Sequence, residues 1–196
     1  AAVERGVPLL PEFGLDPGID LLLLGEALGR LDEVQEIRSY GAGLPEPAVS
    51  RDNPLRYKAT WTLEGVLSAY HRDATQITDG RQTTVPAREL FAPTNLHSVQ
   101  VEGIGELEAY PNGDAIRLAL QAGLEPSQLK HLGCYTMRWP GHAAFWRPLV
   151  ELGLLDDADV VVEGVPTSRK KFLAAALEPA VRLGERDATW SSFAWR

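Results

Sequence analysis

A chain of 196 residues, 44% hydrophobic and 23% charged, carries enough apolar material for one substantial core or two small ones. Its net charge of −8 argues against the basic face that nonspecific nucleic-acid binding requires, and gives no electrostatic reason to adhere to an anionic membrane. One cysteine, Cys134, excludes an internal disulfide and fits a reducing cytoplasm, and no uninterrupted apolar stretch is long enough to span a bilayer.

The chain begins Ala-Ala-Val-Glu, without a methionine and without the basic-then-apolar layout of a signal peptide, and reads as an internal piece of a longer protein. "GVPLLPEF" is a short apolar run suited to a buried strand. In "GLDPGID", Asp16 and Pro17 have the chemistry of the N-cap and first residue of a helix running to about Arg30. Gly14 and Gly18 permit positive φ or close approach by a ligand. Strand, glycine turn and capped helix is a unit at which α/β proteins bind small molecules. The competing reading is an ordinary strand-to-helix turn.

A strand is expected over Val34 to Tyr40, then a proline-rich loop, "GLPEPAVSRDNPLRYK". "TLEGVLSAYHR" returns to helix, with Leu63, Val66, Leu67 and Tyr70 on one stripe. "ATQITDGRQTTVPA" is a hairpin turning at Asp79-Gly80, a pair favoured in type I′ turns. One or two strands follow in "LHSVQVEGIGELEAYPNGD". A short helix is capped by Asp114 and stopped near Gly123, and "CYTMRW" is a strand.

"GHAAFWRPLVELGLL" is a helix with Phe145, Leu149 and Leu152 on one face, and "TSRKKFLAAALEPAV" a helix opened by Thr167 or Ser168. "ERDATWSSFAW" alternates with period two and reads as a closing strand. Strands and helices intermix around at least one hairpin, so the fold class expected is α+β: a mixed β-sheet with helices packed on one face.

His71, His97, His131 and His142 are scattered, and no zinc spacing, GxSxG elbow or Walker loop occurs. "GIGELE" from Gly103 lacks the third glycine and the helix start of a dinucleotide fingerprint, and the prolines after Gly41 forbid that helix. Cys134, in an apolar strand with no histidine beside it in sequence, reads as an inert buried thiol. Trp61, Trp139 and Trp146 read as core or interface aromatics.

Three segments in order, "GLDPGID", "GAGLPEPAVSRDNPLRYKATWTLEGVL" and "LEAYPNGD" with "GCYTMRWPGHAAFWRPLVELGLL", resemble the saccharopine dehydrogenase family, including saccharopine reductases and lysine 6-dehydrogenases. The resemblance covers nearly all of the chain to about Leu155. It implies the dimerising, substrate-binding catalytic domain of a Rossmann-type dehydrogenase, spanning residues 1–196. Residues 1–13 would be the crossover from an N-terminal nucleotide-binding domain. It implies an NAD- or NADP-dependent reaction on the C–N bond of an amino acid, the cofactor held mainly by that other domain. A homodimer is implied as well.

By the same resemblance Leu15, Asp16, Pro17 and Gly18 border both nicotinamide and substrate. Asn53, Arg56 and Lys58 fall in "NPLRYK", where the family's usual glycine is replaced by Arg56. Pairing with a substrate carboxylate and plain solvated loop charge both remain open for Arg56 and Lys58. Glu64 stands where saccharopine reductases carry a carboxylate-gripping arginine, a reversed charge that favours lysine or another amine over saccharopine. Against that stands an exposed helix residue of no special role. Arg138 and His142, flanking "WPG", are candidates for lining the amino-acid pocket, with a structural histidine the alternative. Two other functions fit the same residues: a stand-alone amino-acid-binding or dimerisation module without redox activity, and a relative acting on polyamine imines.

Overall fold

The structure, a computed structural model, describes residues 3–9, 13–46, 57–58, 62–156 and 158–181. Helix α1 (Ile19–Leu28) is followed by strand β1 (Glu36–Ala42) and helix α2 (Leu63–Ala69). Strands β2 (Ala74–Thr78), β3 (Arg81–Val85), β4 (His97–Val101) and β5 (Gly105–Pro111) come next, then helix α3 (Ala115–Gln121). Strand β6 (His131–Arg138), helix α4 (His142–Glu151), strands β7 (Asp159–Val162) and β8 (Val165–Ser168), and helix α5 (Arg169–Val181) complete the order.

β6 is the spine. β1 runs parallel to it, with Glu36 opposite His131 through Ala42 opposite Met137. β2 pairs antiparallel with its first residues, and β5 with its last, Ala109 facing Met137 and Tyr110 facing Thr136. The hairpins β2–β3 and β4–β5 complete a six-stranded mixed sheet. Asp79 (φ 51) and Gly80 (φ 73) both take positive φ between β2 and β3, the geometry that selects this pair.

Side chains alternate across β6. Leu132 and Cys134 join Ile37 and Ile77 in packing against Leu24 of α1 and Ala115 and Ala119 of α3. Further along the same face Tyr110 meets α2 and α4 through Val66, Leu67, Tyr70, Ala143 and Trp146. The opposite face holds Leu107, Ala109, Tyr135 and Met137, surrounded by Tyr40, Ala42, Leu44, Val99, Val101 and Trp139, none of them helical. The helices therefore cover one face, as the sequence leads one to expect. On the bare face Tyr40 stacks on Tyr135, and their hydroxyls bond His97 Nε2 and His131 Nε2, each at 2.9 Å. Gly133 carries no side chain because the Tyr135 ring end occupies that space.

Caps follow the residue chemistry. Thr62 Oγ1 accepts from Gly65 N, Asp114 Oδ1 accepts from Ile116 N and Arg117 N, and Ser168 Oγ accepts from Lys171 N. Gly141, in the left-handed region, has no capping side chain, and Glu108 on β5 supplies one instead by accepting from Ala143 N at 2.7 Å.

Three sequence expectations need correction. Val7 and Leu9 are exposed and form no strand, since no neighbouring segment pairs with them among the described residues. α1 begins at Ile19 rather than Pro17: Gly18, at φ 146 and ψ −81, breaks the helical path and is itself the N-cap. The buried stripe of α4 is His142, Ala143, Trp146 and Val150, while Phe145 (37%) and Leu152 (69%) reach solvent. Both stripes have helical spacing, and the larger buried surface of the indole decides between them. The expected closing strand in "ERDATWSSFAW" and residue Trp61 lie outside the described residues.

Candidate functional site

The Leu15–Gly18 turn closes on itself. The Asp16–Pro17 peptide is cis, Gly14 N donates to Pro17 O, and Gly18 N donates to Asp20 Oδ1 at 2.6 Å. Ile19 N and Asp20 N donate to the carbonyls of Gly14 and Leu15. The donors of this helix start are thus consumed locally, and what the turn presents is the Asp16 carboxyl and the exposed Leu15 side chain. The Asp16 side chain keeps contact with solvent. Burial first, and then the charge and hydrogen bond of Asp20, raise its affinity for a proton above that of an ordinary carboxyl.

Asp16 and Asp20 stand between two clefts of about 400 Å³ each. The first is polar, walled by Asp16, Asp20, Arg72, Asp73, Asn112, Asp114, Arg117 and Gln121, with Cys134 at its back. Burial pushes the Cys134 thiol up to about 12, so it stays protonated and unreactive, as read from sequence. The second is more apolar and lies between α1 and β1, lined by Leu15, Ile19, Leu23, Leu24 and Tyr40.

Beside the polar cleft, buried among α2, β5, β6 and α4, is a cage around Arg138. Its guanidinium lies over the Tyr57 ring, 4.9 Å from the centroid, and donates to Met137 O at 3.0 Å. No carboxylate pairs with it among the described residues, and its Nε is buried without a partner. Tyr70 Oη bonds His142 Nε2 at 2.9 Å, and Tyr110 stacks on the His142 ring. Burial, and after it the Arg138 charge, depress the His142 pKa well below the usual histidine value, so the ring is neutral. Burial likewise raises Tyr70 well above an ordinary phenol.

The structure thus separates the residues nominated from sequence. Asp16, Pro17 and Leu15 line the clefts, and Gly18 shapes the turn beside them. Arg138 and His142 share the cage and line neither cleft. Lys58, half-buried next to Tyr57, and Glu64, exposed in the first turn of α2, line neither cleft either. Asn53 and Arg56 lie outside the described residues. Arg72, Asn112, Asp114 and Arg117 were not nominated as pocket residues. Asp114 was legible only as a cap, and Arg72 and Arg117 reach the cleft from the end of one helix and the first turn of another.

The family model for the saccharopine dehydrogenase C-terminal domain matches residues 14–192. The chain belongs to the saccharopine dehydrogenase family, as its C-terminal domain. Its relatives include the mitochondrial alpha-aminoadipic semialdehyde synthase of Bos taurus, 33% identical over 157 residues, covering 78% of this chain and 16% of the relative. The NADP(+), L-glutamate-forming saccharopine dehydrogenase of Saccharomyces cerevisiae is 30% identical over 217 residues, covering 98% of this chain and 47% of the relative. The apo structure of the Saccharomyces cerevisiae L-Glu-forming saccharopine dehydrogenase shares the fold, at TM-score 0.68 and 24% identity, over 98% of this chain and 46% of that one.

This saccharopine dehydrogenase C-terminal domain spans about half or less of the length of those curated relatives. A dinucleotide needs a cradle of free N–H groups for its pyrophosphate. At the Leu15–Gly18 turn the N–H groups of Gly18, Ile19 and Asp20 are already bonded locally. Among the described residues no helix is long and apolar enough to cross a membrane.

Proposed function

We propose that this chain is the substrate-binding, dimerising half of an NAD(P)-dependent dehydrogenase acting on the C–N bond of an amino acid, with lysine or a related amine preferred over saccharopine. The observation that carries the preference is the charge of the polar cleft. Four aspartates, Asp16, Asp20, Asp73 and Asp114, face two arginines, Arg72 and Arg117. Lysine is a net cation, whereas saccharopine carries further carboxylates and is a net anion, so an acidic cleft favours the first. The guanidiniums give its carboxylate a fixed partner, and the aspartates hold its ammonium groups.

The cofactor, NAD or NADP, accepts the hydride when bound, and Leu15 to Gly18 border its nicotinamide. Orientation falls to this domain: the paired Asp16 and Asp20 sit at the junction of the two clefts and fix the amine there. The cofactor's phosphates are proposed to be held by a nucleotide-binding domain outside these residues. The exposed Leu22 (75%) and Leu23 (66%) of α1 support that partner by offering it an apolar surface next to the clefts. The helix-free sheet face, with Tyr40, His97 and Tyr135, supports a homodimer.

The test is turnover by the full-length protein with NAD and with NADP. L-Lysine is expected to exceed saccharopine in kcat/KM by ~10-fold or more, a difference of about 1.4 kcal/mol. A preference for saccharopine of that size contradicts the substrate assignment, and amino-acid binding without turnover of either supports a module without redox activity.

A further inference from the structure

Arg72 enters the polar cleft from a segment held at both ends. Tyr70, the C-terminal cap of α2, is buried in the core, and His71 N donates to Ser68 O at 3.3 Å. On the other side Asp73 Oδ1 accepts from Ala87 N at 2.8 Å, and Thr75 N donates to Gly113 O at 3.0 Å. Thr75 Oγ1 also donates to Asp114 Oδ1. The backbone of Arg72 is therefore fixed against the loop that carries Asn112, Gly113 and Asp114, the opposite part of the cleft lining.

Its side chain is a guanidinium in acidic surroundings. Asp16, Asp20, Asp73 and Asp114 line the same cleft, yet among the described residues none forms an ion pair with Arg72, and its side chain makes no hydrogen bond. Three of these four carboxylates have an oxygen engaged elsewhere: Asp20 Oδ1 with Gly18 N, Asp73 Oδ1 with Ala87 N, and Asp114 Oδ1 with Thr75 Oγ1 and the first turn of α3. Arg117, the second cation of the cleft, is engaged in a further interaction within the chain. Among the described residues Arg72 is thus the cleft cation whose donors remain available. A guanidinium presents a planar fork of N–H groups that matches a carboxylate and no part of an amine.

We propose that Arg72 is a specificity-determining residue that holds the α-carboxylate of the substrate in the polar cleft, so that the cleft selects an amino acid over a plain diamine. The ligand rests on the amine-binding reading above; the anchor rests on the geometry. Without Arg72 the selection runs the other way. Four aspartates attract cations, and a diamine with two ammonium groups is attracted more strongly than lysine, whose carboxylate cancels one of its charges. A fixed guanidinium reverses that order, because it pairs with a carboxylate and repels a second ammonium. One side chain supplies both the attractive and the repulsive contact.

The test crosses the residue with the carboxylate in the full-length protein: Arg72→Gln against wild type, and L-lysine against 1,5-diaminopentane, which is lysine without its carboxylate. Arg72 is exposed, so its variants are expected to fold. By calorimetry, Arg72→Gln is expected to weaken L-lysine ~10-fold or more. The diamine is expected to bind as tightly or more tightly, because a positive charge has left an acidic cleft. Arg72→Lys, which keeps the charge and loses the fork, is expected to fall between wild type and Arg72→Gln for L-lysine. A merely structural role weakens both ligands together, and that result overturns the proposal. So does unchanged L-lysine affinity in Arg72→Gln, or a loss of discrimination in Arg117→Gln that Arg72→Gln does not show.

A third ligand separates the anchor from the substrate class. If wild type prefers saccharopine to L-lysine, the amine preference fails while the anchor is still decided. A ~10-fold loss of saccharopine affinity in Arg72→Gln then upholds the anchor, and unchanged affinity overturns it. If wild type binds none of the three ligands, both readings are overturned.

Discussion

Trp146→Ala is expected to lower the stability of this domain by about 3–5 kcal/mol, the range for truncating a fully buried aromatic. Trp146 has no exposed surface and is the largest side chain of the cluster formed by α2, β5 and α4. Its ring lies 5.0 Å from that of Tyr70 and 6.0 Å from that of His142, so the cavity left by alanine opens directly under the cage. The indole Nε1 is buried without a hydrogen-bond partner among the described residues. Trp146→Phe removes that unpartnered donor while keeping much of the apolar volume, and is expected to cost well under half as much. The check is urea unfolding of both variants, with the midpoint and the slope fitted separately. Equal losses for Ala and Phe would mean that the indole is not packed as described.

The second large effect is on acid stability and comes from His142. Its folded-state pKa lies well below that of an unfolded histidine. Above about pH 6.5 the ring is neutral in both states, and the contribution to stability is level. As the pH falls below that value the unfolded chain binds a proton that the folded chain refuses. Stability is then lost at about 1.4 kcal/mol per pH unit until the folded pKa is reached. Arg138 makes protonation harder still, and the phenols of Tyr57, Tyr70 and Tyr110 that surround the ring stay neutral throughout this range. His97 and His131 on the bare sheet face are shifted in the same direction, so the wild-type profile alone does not isolate His142. The difference between wild type and His142→Gln does. The gap in unfolding free energy is expected to change steadily between pH 6.5 and pH 5 in favour of the glutamine variant, and parallel profiles would contradict the buried neutral ring.

Local chemistry made much of the fold legible. The Asp79-Gly80 turn, the Asp114 cap and the existence of strand β6 are each written in neighbouring residues. The bare and covered faces of the sheet follow from that alternation once the strands are placed. Two misreadings share a cause. A residue that suits a cap or a stripe in isolation was outvoted by a neighbour: Gly18 by its backbone geometry over Asp16 and Pro17, Trp146 by its size over Phe145. The parallel pairing of β1 with β6 joins segments about 95 residues apart and leaves no local trace.

The site was legible at one end only. "GLDPG" marks the turn where Asp16 meets both clefts. The charges opposite it come from helix ends and loops whose convergence is a tertiary event. Arg138 and His142 were candidates for lining the amino-acid pocket, with a structural histidine the alternative, and they lie outside the linings of both clefts. Their place among the rings of Tyr57, Tyr70 and Tyr110 is a tertiary event that sequence did not reveal.

The most direct test of the account is to map L-lysine onto the full-length protein by backbone and side-chain NMR. The account predicts shifts concentrated at Asp16, Asn112, Asp114 and Arg117, with the bare face around Tyr135 unmoved. Saturable shifts that instead cluster around Lys58 and Glu64, leaving Asp16 and Asn112 unchanged, would contradict it.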